Sequence, residues 1–224
     1  MTQDEQSSRV AILGAARTLF AERGFEDTST RAIVEASGTS KGSFYHFFSS
    51  KEDLYAAVLE EMIDELWAAD FEKIAEGAVD RDTYWRTIAQ ATQRSADRML
   101  AQPEHMRLWR GFQKSWRLIG DAGPARRLRE KNLRMGERLA ALGQRIGCIR
   151  VDISAQECAQ LVESVDAVAD GWFFDWADQI GSRAAFEKSR PLTLDLIWRM
   201  LASPDDLDNG SPATFAPPRD GETR

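Results

Sequence analysis

The chain has little of what enzymes use. Its two cysteines, Cys148 and Cys158, are not in a CxxC spacing, and its two histidines, His46 and His105, sit in no metal-ligand or triad-like pattern. The GxSxG, GxGxxG and P-loop patterns are missing as well. No catalytic activity, bound metal or cofactor is therefore expected. No stretch approaches the roughly 18–20 consecutive apolar residues of a membrane span. The opening Met-Thr-Gln-Asp-Glu-Gln is acidic and polar, which does not predict a secretory leader. A cytoplasmic protein with reduced thiols is the expectation. Val/Ile/Thr-rich runs of period two are also lacking, so strands are not predicted.

What is there is helical periodicity. The 224 residues, 43% hydrophobic and 29% charged, suffice for a sizeable core and for one or two domains. Apolar spacings of three and four predict an all-α fold, with helices over about 8–23, 30–36, 41–47, 50–76, 81–101, 104–118, 124–146, 155–179 and 184–202. Ser7 or Ser8 is the expected start of the first, and Pro103, Pro124 and Pro191 are expected at helix starts, where a missing N–H costs little. Residues 1–52 read as a small N-terminal domain and 53–202 as a larger helical one. Four of the seven prolines lie at 204, 212, 217 and 218, among Asp, Ser, Gly and Thr. Residues 203–224 are therefore expected to be a disordered tail.

The stretch from Thr28 to Lys51 is the most specific. Two short helices flank the turn Ser37-Gly38-Thr39, and Ser40 is a natural N-cap for the second. Ser49-Ser-Lys-Glu52, or Ser50 with Asp53 one register on, opens the next helix. No acid falls between Glu35 and Glu52. Two helices joined in this way read DNA when the second enters the major groove with its N-terminal residues on base edges. Those residues are Ser40, Lys41, Gly42 and Ser43. Gly42 would let the backbone approach the duplex, and Lys41 would reach a guanine edge or a phosphate. Tyr45 would donate its hydroxyl to a phosphate, and His46 would touch a base edge or the backbone. Lys51 and the N–H groups around it, like Thr28, Ser29 and Thr30, suit phosphate at a helix start. The alternative is a plain helical hairpin with Tyr45, Phe47 and Phe48 in the core. The net charge of −7 disfavours non-specific coating of nucleic acid but leaves room for a local basic footprint.

The pattern Phe25-x-x-Thr28-Ser-x-Arg31-x-Ile33, then Ala36-x-Gly38-x-Ser40-Lys-Gly42-x-Phe44-Tyr45-x-x-Phe48-x-x-Lys51-Glu-x-Leu54, resembles the TetR family of bacterial transcription regulators over about residues 8–60. The resemblance implies that Thr28 and Arg31 open the positioning helix, that Ser40–His46 form the recognition helix, and that Tyr45 and Lys51 contact phosphate. Phe47 stands where the family often has His or Tyr, and Thr39 where an apolar residue is usual.

The resemblance further implies a homodimer paired through its last two helices, about 155–179 and 184–202, which are broadly apolar. It also implies a small-molecule effector bound in the second domain. All seven tryptophans lie beyond residue 66. Trp109, Phe112 and Trp116 share one predicted face, and Trp172, Phe173 and Trp176 another. Either set suits an apolar pocket, with Asp166, Asp170 and Asp175 placed to meet a cationic group. Aromatics filling core between helices explain the same pattern. Arg126 to Arg150 holds eight Lys/Arg against Glu130 and Glu137, which reads as a solvated helix face or a seat for an anion. The expected function is a repressor that leaves double-stranded, pseudo-palindromic operator DNA when a largely apolar or aromatic effector binds. A constitutive DNA binder without an effector, and a helical small-molecule-binding protein whose hairpin is only structural, remain as alternatives.

Overall fold

The computed structural model describes residues 3–77, 79–119 and 124–210. Their elements are α1 (Gln3–Arg23), α2 (Thr30–Ser37), α3 (Lys41–Phe47), α4 (Lys51–Ile63), a π-helical turn (Asp64–Ala68), α5 (Ala69–Ala75), α6 (Tyr84–Ala101), α7 (Pro103–Ile119), α8 (Pro124–Arg145), α9 (Ala155–Ile180), α10 (Ser182–Leu201) and α11 (Pro204–Asn209). Among the described residues the fold is all-α, with only an isolated antiparallel bridge between Ile149 and Ala202. No described helix is long and apolar enough to cross a membrane.

The chain forms two compact units. The first comprises the described residues through Leu66 with Met99–Glu130, and the second Trp67–Arg98 with the described residues from Lys131 onward. The break after position 52 expected from sequence is not where packing divides the chain. Residues 53–66 and 99–130 pack with the N-terminal helices, because α1 lies against α4 and α7 as well as against α2 and α3. Ile12, Leu13, Ala16, Leu19 and Phe20 supply α1's buried stripe, which meets Phe25, Ile33, Phe44, Leu54, Tyr55 and Val58 in the core of this unit.

The second unit is built on Tyr84, Trp85, Ala89, Leu142, Cys148, Cys158, Leu194, Trp198 and Leu201. Both cysteines are buried free thiols. Tyr84 carries its polar end into this core by donating its hydroxyl to the Leu139 carbonyl at 2.9 Å.

Four sequence expectations are corrected. α1 starts at Gln3, so Ser7 and Ser8 lie within it rather than capping it. The helix expected over 50–76 is interrupted by the π-turn. Pro191 lies inside α10, not at its start. An interior proline costs a helix about 3 kcal/mol; here its ring is buried in the unit, and Thr193 Oγ1 bonds the Ser189 carbonyl one turn back. Finally, Ser203 caps the short α11 through its hydroxyl, so the order of the chain runs past residue 203. The rest of the expected tail, 211–224, lies outside the described residues.

Candidate nucleic-acid interface

Three local capping arrangements build the site. Ser29 Oγ accepts the Ala32 N–H at 3.1 Å and starts α2. Gly38 ends it at φ 65°, where a side chain would be strained, and the Thr39 N–H returns to the Val34 carbonyl at 3.3 Å. Thr39, the departure from the usual apolar residue, is accommodated by a 2.8 Å hydrogen bond between its hydroxyl and that of Ser37. Ser40 Oγ then accepts the Ser43 N–H at 2.9 Å and opens α3. The third cap takes the second of the two registers open in the sequence. Ser50 Oγ accepts the Asp53 N–H at 3.1 Å, and Asp53 Oδ2 accepts both the N–H and hydroxyl of Ser49 at 2.9 and 3.0 Å.

These caps fix which side chains face out. Ser40, Lys41, Gly42, Tyr45 and His46 are exposed, Ser43 is partly so, and Phe44 is wholly buried. Lys41 Nζ sits 5.9 Å from the centre of the Tyr45 ring, which is 50% exposed. His46 Nε2 lies 3.8 Å from Glu5 of α1. Phe47 is half-buried and packs edge-on against His46. Thr30 is partly exposed, and Arg31 is exposed and paired with Glu35 at 2.8 Å.

Two expected DNA contacts are turned inward. Thr28 is 0% exposed, and its hydroxyl donates to the Gly24 carbonyl at 2.7 Å and lies 3.2 Å from that of Leu19. It ties α1's end to α2's start instead of facing a groove. Lys51 Nζ donates to the Phe25 carbonyl at 2.7 Å and stands 4.2 Å from the centre of the Phe25 ring. Its ammonium thus pins the α1–α2 turn to α4's first turn. Sequence reasoning missed the double use of Asp53. The signal was the two overlapping Ser-x-x-acid registers.

Gly42 is informative by what surrounds it. A Cβ at this position would meet only Ser40 Oγ, at 3.5 Å. Nothing among the described residues requires a glycine there. Gly42→Ala is expected to stabilise α3 by about 0.5–1 kcal/mol yet weaken DNA binding by about 1–3 kcal/mol. Urea denaturation beside a DNA titration measures both, and a variant that gains stability and binds unchanged would refute the close approach.

The residues expected to line an effector pocket fall in different units. Trp109 and Phe112 belong to the first, with ring centres 5.3 Å apart. The side chain of Trp116 lies outside the described residues. Asp166, Asp170, Trp172, Phe173 and Trp176 belong to the second. Trp172 and Trp176 stack at 6.3 Å, whereas Phe173 is buried and packs on Phe174 instead, so the expected three-residue face is divided. Trp176 already holds a cation, with Lys188 Nζ 4.0 Å from its ring centre. Asp166 is exposed on α9, with Asp170 and Glu163 as its acidic neighbours on the same helix.

Comparison with known proteins follows the same division. The family described as "Bacterial regulatory proteins, tetR family" matches residues 12–58. The HTH-type transcriptional repressor KstR2 of Rhodococcus jostii is 39% identical over 82 residues, which are 37% of this chain and 40% of that protein. The match thus spans less than half of that relative. Structural likeness extends further. SmeT, the repressor of the Stenotrophomonas maltophilia multidrug efflux pump SmeDEF, superposes with a TM-score of 0.65 at 17% identity, covering 96% of each chain. RolR in complex with resorcinol does so with a TM-score of 0.62 at 18% identity, covering 92% of this chain and 93% of its own. At these identities the two structures speak to fold alone.

Proposed function

The chain belongs to the TetR family of bacterial regulatory proteins through its residues 12–58, and on that premise we propose that it is a homodimeric, sequence-specific DNA-binding regulator. It acts as a repressor in the cytoplasm and leaves its operator when a small, largely apolar or aromatic molecule binds beyond the helix-turn-helix. The observation that carries this reading is α3 itself, whose exposed Ser40, Lys41 and Gly42 are held by caps on either side of it and by the buried Phe44. Lys41 and Ser43 meet base edges or phosphates, and Tyr45 donates to a phosphate. Thr30 and the start of α4 hold the flanking backbone.

The dimer reading is supported by an apolar stripe left on the last long helices. Val168 and Trp172 on α9, and Leu192 and Leu196 on α10, are 53, 37, 45 and 38% exposed at spacings of four. Burying them against a second copy would give a dimer, and helix-turn-helix dimers read paired half-sites with centres about 34–36 Å apart. KstR2, which shares the matched segment, is a repressor by name. The proposed ligand acts only through different affinities for the DNA-bound and free forms, and DNA opposes the ligand equally.

Retardation of the chain's own upstream DNA is the test. The expected result is a complex containing one protein dimer by sedimentation, weakening steeply with salt and surviving excess unrelated DNA. Equal affinity for unrelated DNA would reject a sequence reader.

A further inference from the structure

The basic segment beginning at Arg126 has a definite address. The first turn of α8 packs within the first unit, and Arg127 there sets Nη2 against Oδ1 of Asp53 in the first turn of α4. Asp53 is committed on its other oxygen to the N–H and hydroxyl of Ser49. Partial burial works to raise its carboxyl, but the two Ser49 donors, and then Arg127, hold it below the usual carboxylate range. Arg127 therefore stands one side chain away from Ser49-Ser50-Lys51.

That position creates an electrostatic problem and its remedy. Asp53 is needed to fix the start of α4, yet its negative charge lies within one turn of the backbone N–H groups that would receive a phosphate. Arg127 cancels it. The guanidinium spends one nitrogen on the contact, its side chain is 64% exposed, and a guanidinium has five N–H donors in a planar fork. Arg126 beside it is 67% exposed and pairs with Glu130 at 3.4 Å.

We propose that the first turn of α8 is part of the DNA-binding surface. Arg127 neutralises Asp53 at the head of α4 and donates its outward N–H groups to a backbone phosphate next to the one seated there. The contact adds affinity without reading sequence. This rests on the DNA-binding reading above.

The test compares the full-length protein with Arg127→Gln and Arg127→Lys on the same DNA fragment, across about 0.05–0.3 M salt. Each phosphate contact contributes about 0.9 to the slope of log affinity against log salt, so Arg127→Gln is expected to flatten it by about 0.9 per subunit. Extrapolated to equal affinity at 1 M, that is a loss of about eightfold per contact at about 0.1 M salt. Arg127→Lys should keep most of the slope. Binding by Arg127→Gln with the wild-type slope would overturn the proposal, and a lowered melting temperature in that variant would then mark Arg127 as a structural partner only. Failure of the wild-type protein to bind any specific DNA would overturn the DNA-binding reading along with it.

Discussion

Phe44→Ala is expected to destabilise the first unit by about 3–5 kcal/mol, the usual cost of emptying a buried phenylalanine site. Phe44 is 0% exposed, lies edge-on to Tyr45 at 5.1 Å and sits 6.1 Å from the ring of Phe48. α3 is only seven residues long. A helix that short is unstable alone and owes its order to packing. Losing its one fully buried anchor should release α3 before the rest of the unit, since 3–5 kcal/mol is a large part of a typical 5–15 kcal/mol total. DNA binding should then fall below detection while most far-ultraviolet helical signal remains. Hydrogen exchange read beside DNA retardation would check this. Wild-type protection of α3 in the variant, with binding retained, would mean that the helix is held by its caps alone.

The parts legible in the sequence were those fixed by local chemistry. Ser40, Gly38 and Ser50 each sit where one backbone conformation or one orphan N–H demands that residue type, so the helix-turn-helix could be placed almost to the residue. Direction was harder than position. A threonine hydroxyl opening a helix can face phosphate or cap the preceding turn, and only packing shows that Thr28 does the second. Lys51 is the same case, because its reach to the Phe25 carbonyl joins residues 26 apart. The π-turn had no local signal, since a one-residue shift in helical register depends on what the helix packs against. The grouping of Met99–Glu130 with the first 66 residues likewise arises from helix faces meeting, which one-dimensional periodicity does not encode. For the aromatic clusters, spacing put Trp172, Phe173 and Trp176 together, while burial sent Phe173 the other way.

Glu65 lies in the π-turn, and its pairing with Arg17 sets up the other large effect. Arg17 of α1 is held in a fork by Glu65, Nη1 to Oε1 and Nη2 to Oε2, each at 2.8 Å. The same Nη2 donates to Nε2 of His105 from α7, and Glu104 lies 3.8 Å from Arg17 Nε. His105 is 1% exposed, and its Nδ1 has no hydrogen-bond partner among the described residues. The same Nε2 also lies 3.3 Å from Glu65 Oε2, so the buried ring stands between a guanidinium and a carboxylate.

Glu65→Ala would leave Arg17, only 20% exposed at its side chain, without its main counter-charge. An unpaired ion in a partly buried site is expected to cost about 2 kcal/mol, below the 3–5 kcal/mol of a fully buried pair. Arg17→Met should cost less, because it removes the charge, keeps the stem and leaves behind a carboxylate that is 48% exposed. Equal losses in urea denaturation would reject this asymmetry.

The same cluster predicts acid sensitivity. Burial first, and then the charge of Arg17, holds the His105 pKa below its ordinary value, against the opposing pull of Glu65 and Glu104. Below about 6.5 the unfolded chain takes up a proton that the folded ring does not. Stability is then complete above that pH and falls as pH drops toward the lowered folded value. The hydrogen bonds and charge of Arg17 hold Glu65 below the usual carboxylate range. Its contribution is present above about 4.5 and is lost at still lower pH. His105→Gln should therefore flatten the fall in urea midpoint that sets in below about pH 6.5 while leaving the more acidic limb of Glu65 in place. Superimposable midpoint curves for wild type and variant would show that His105 takes no part in it.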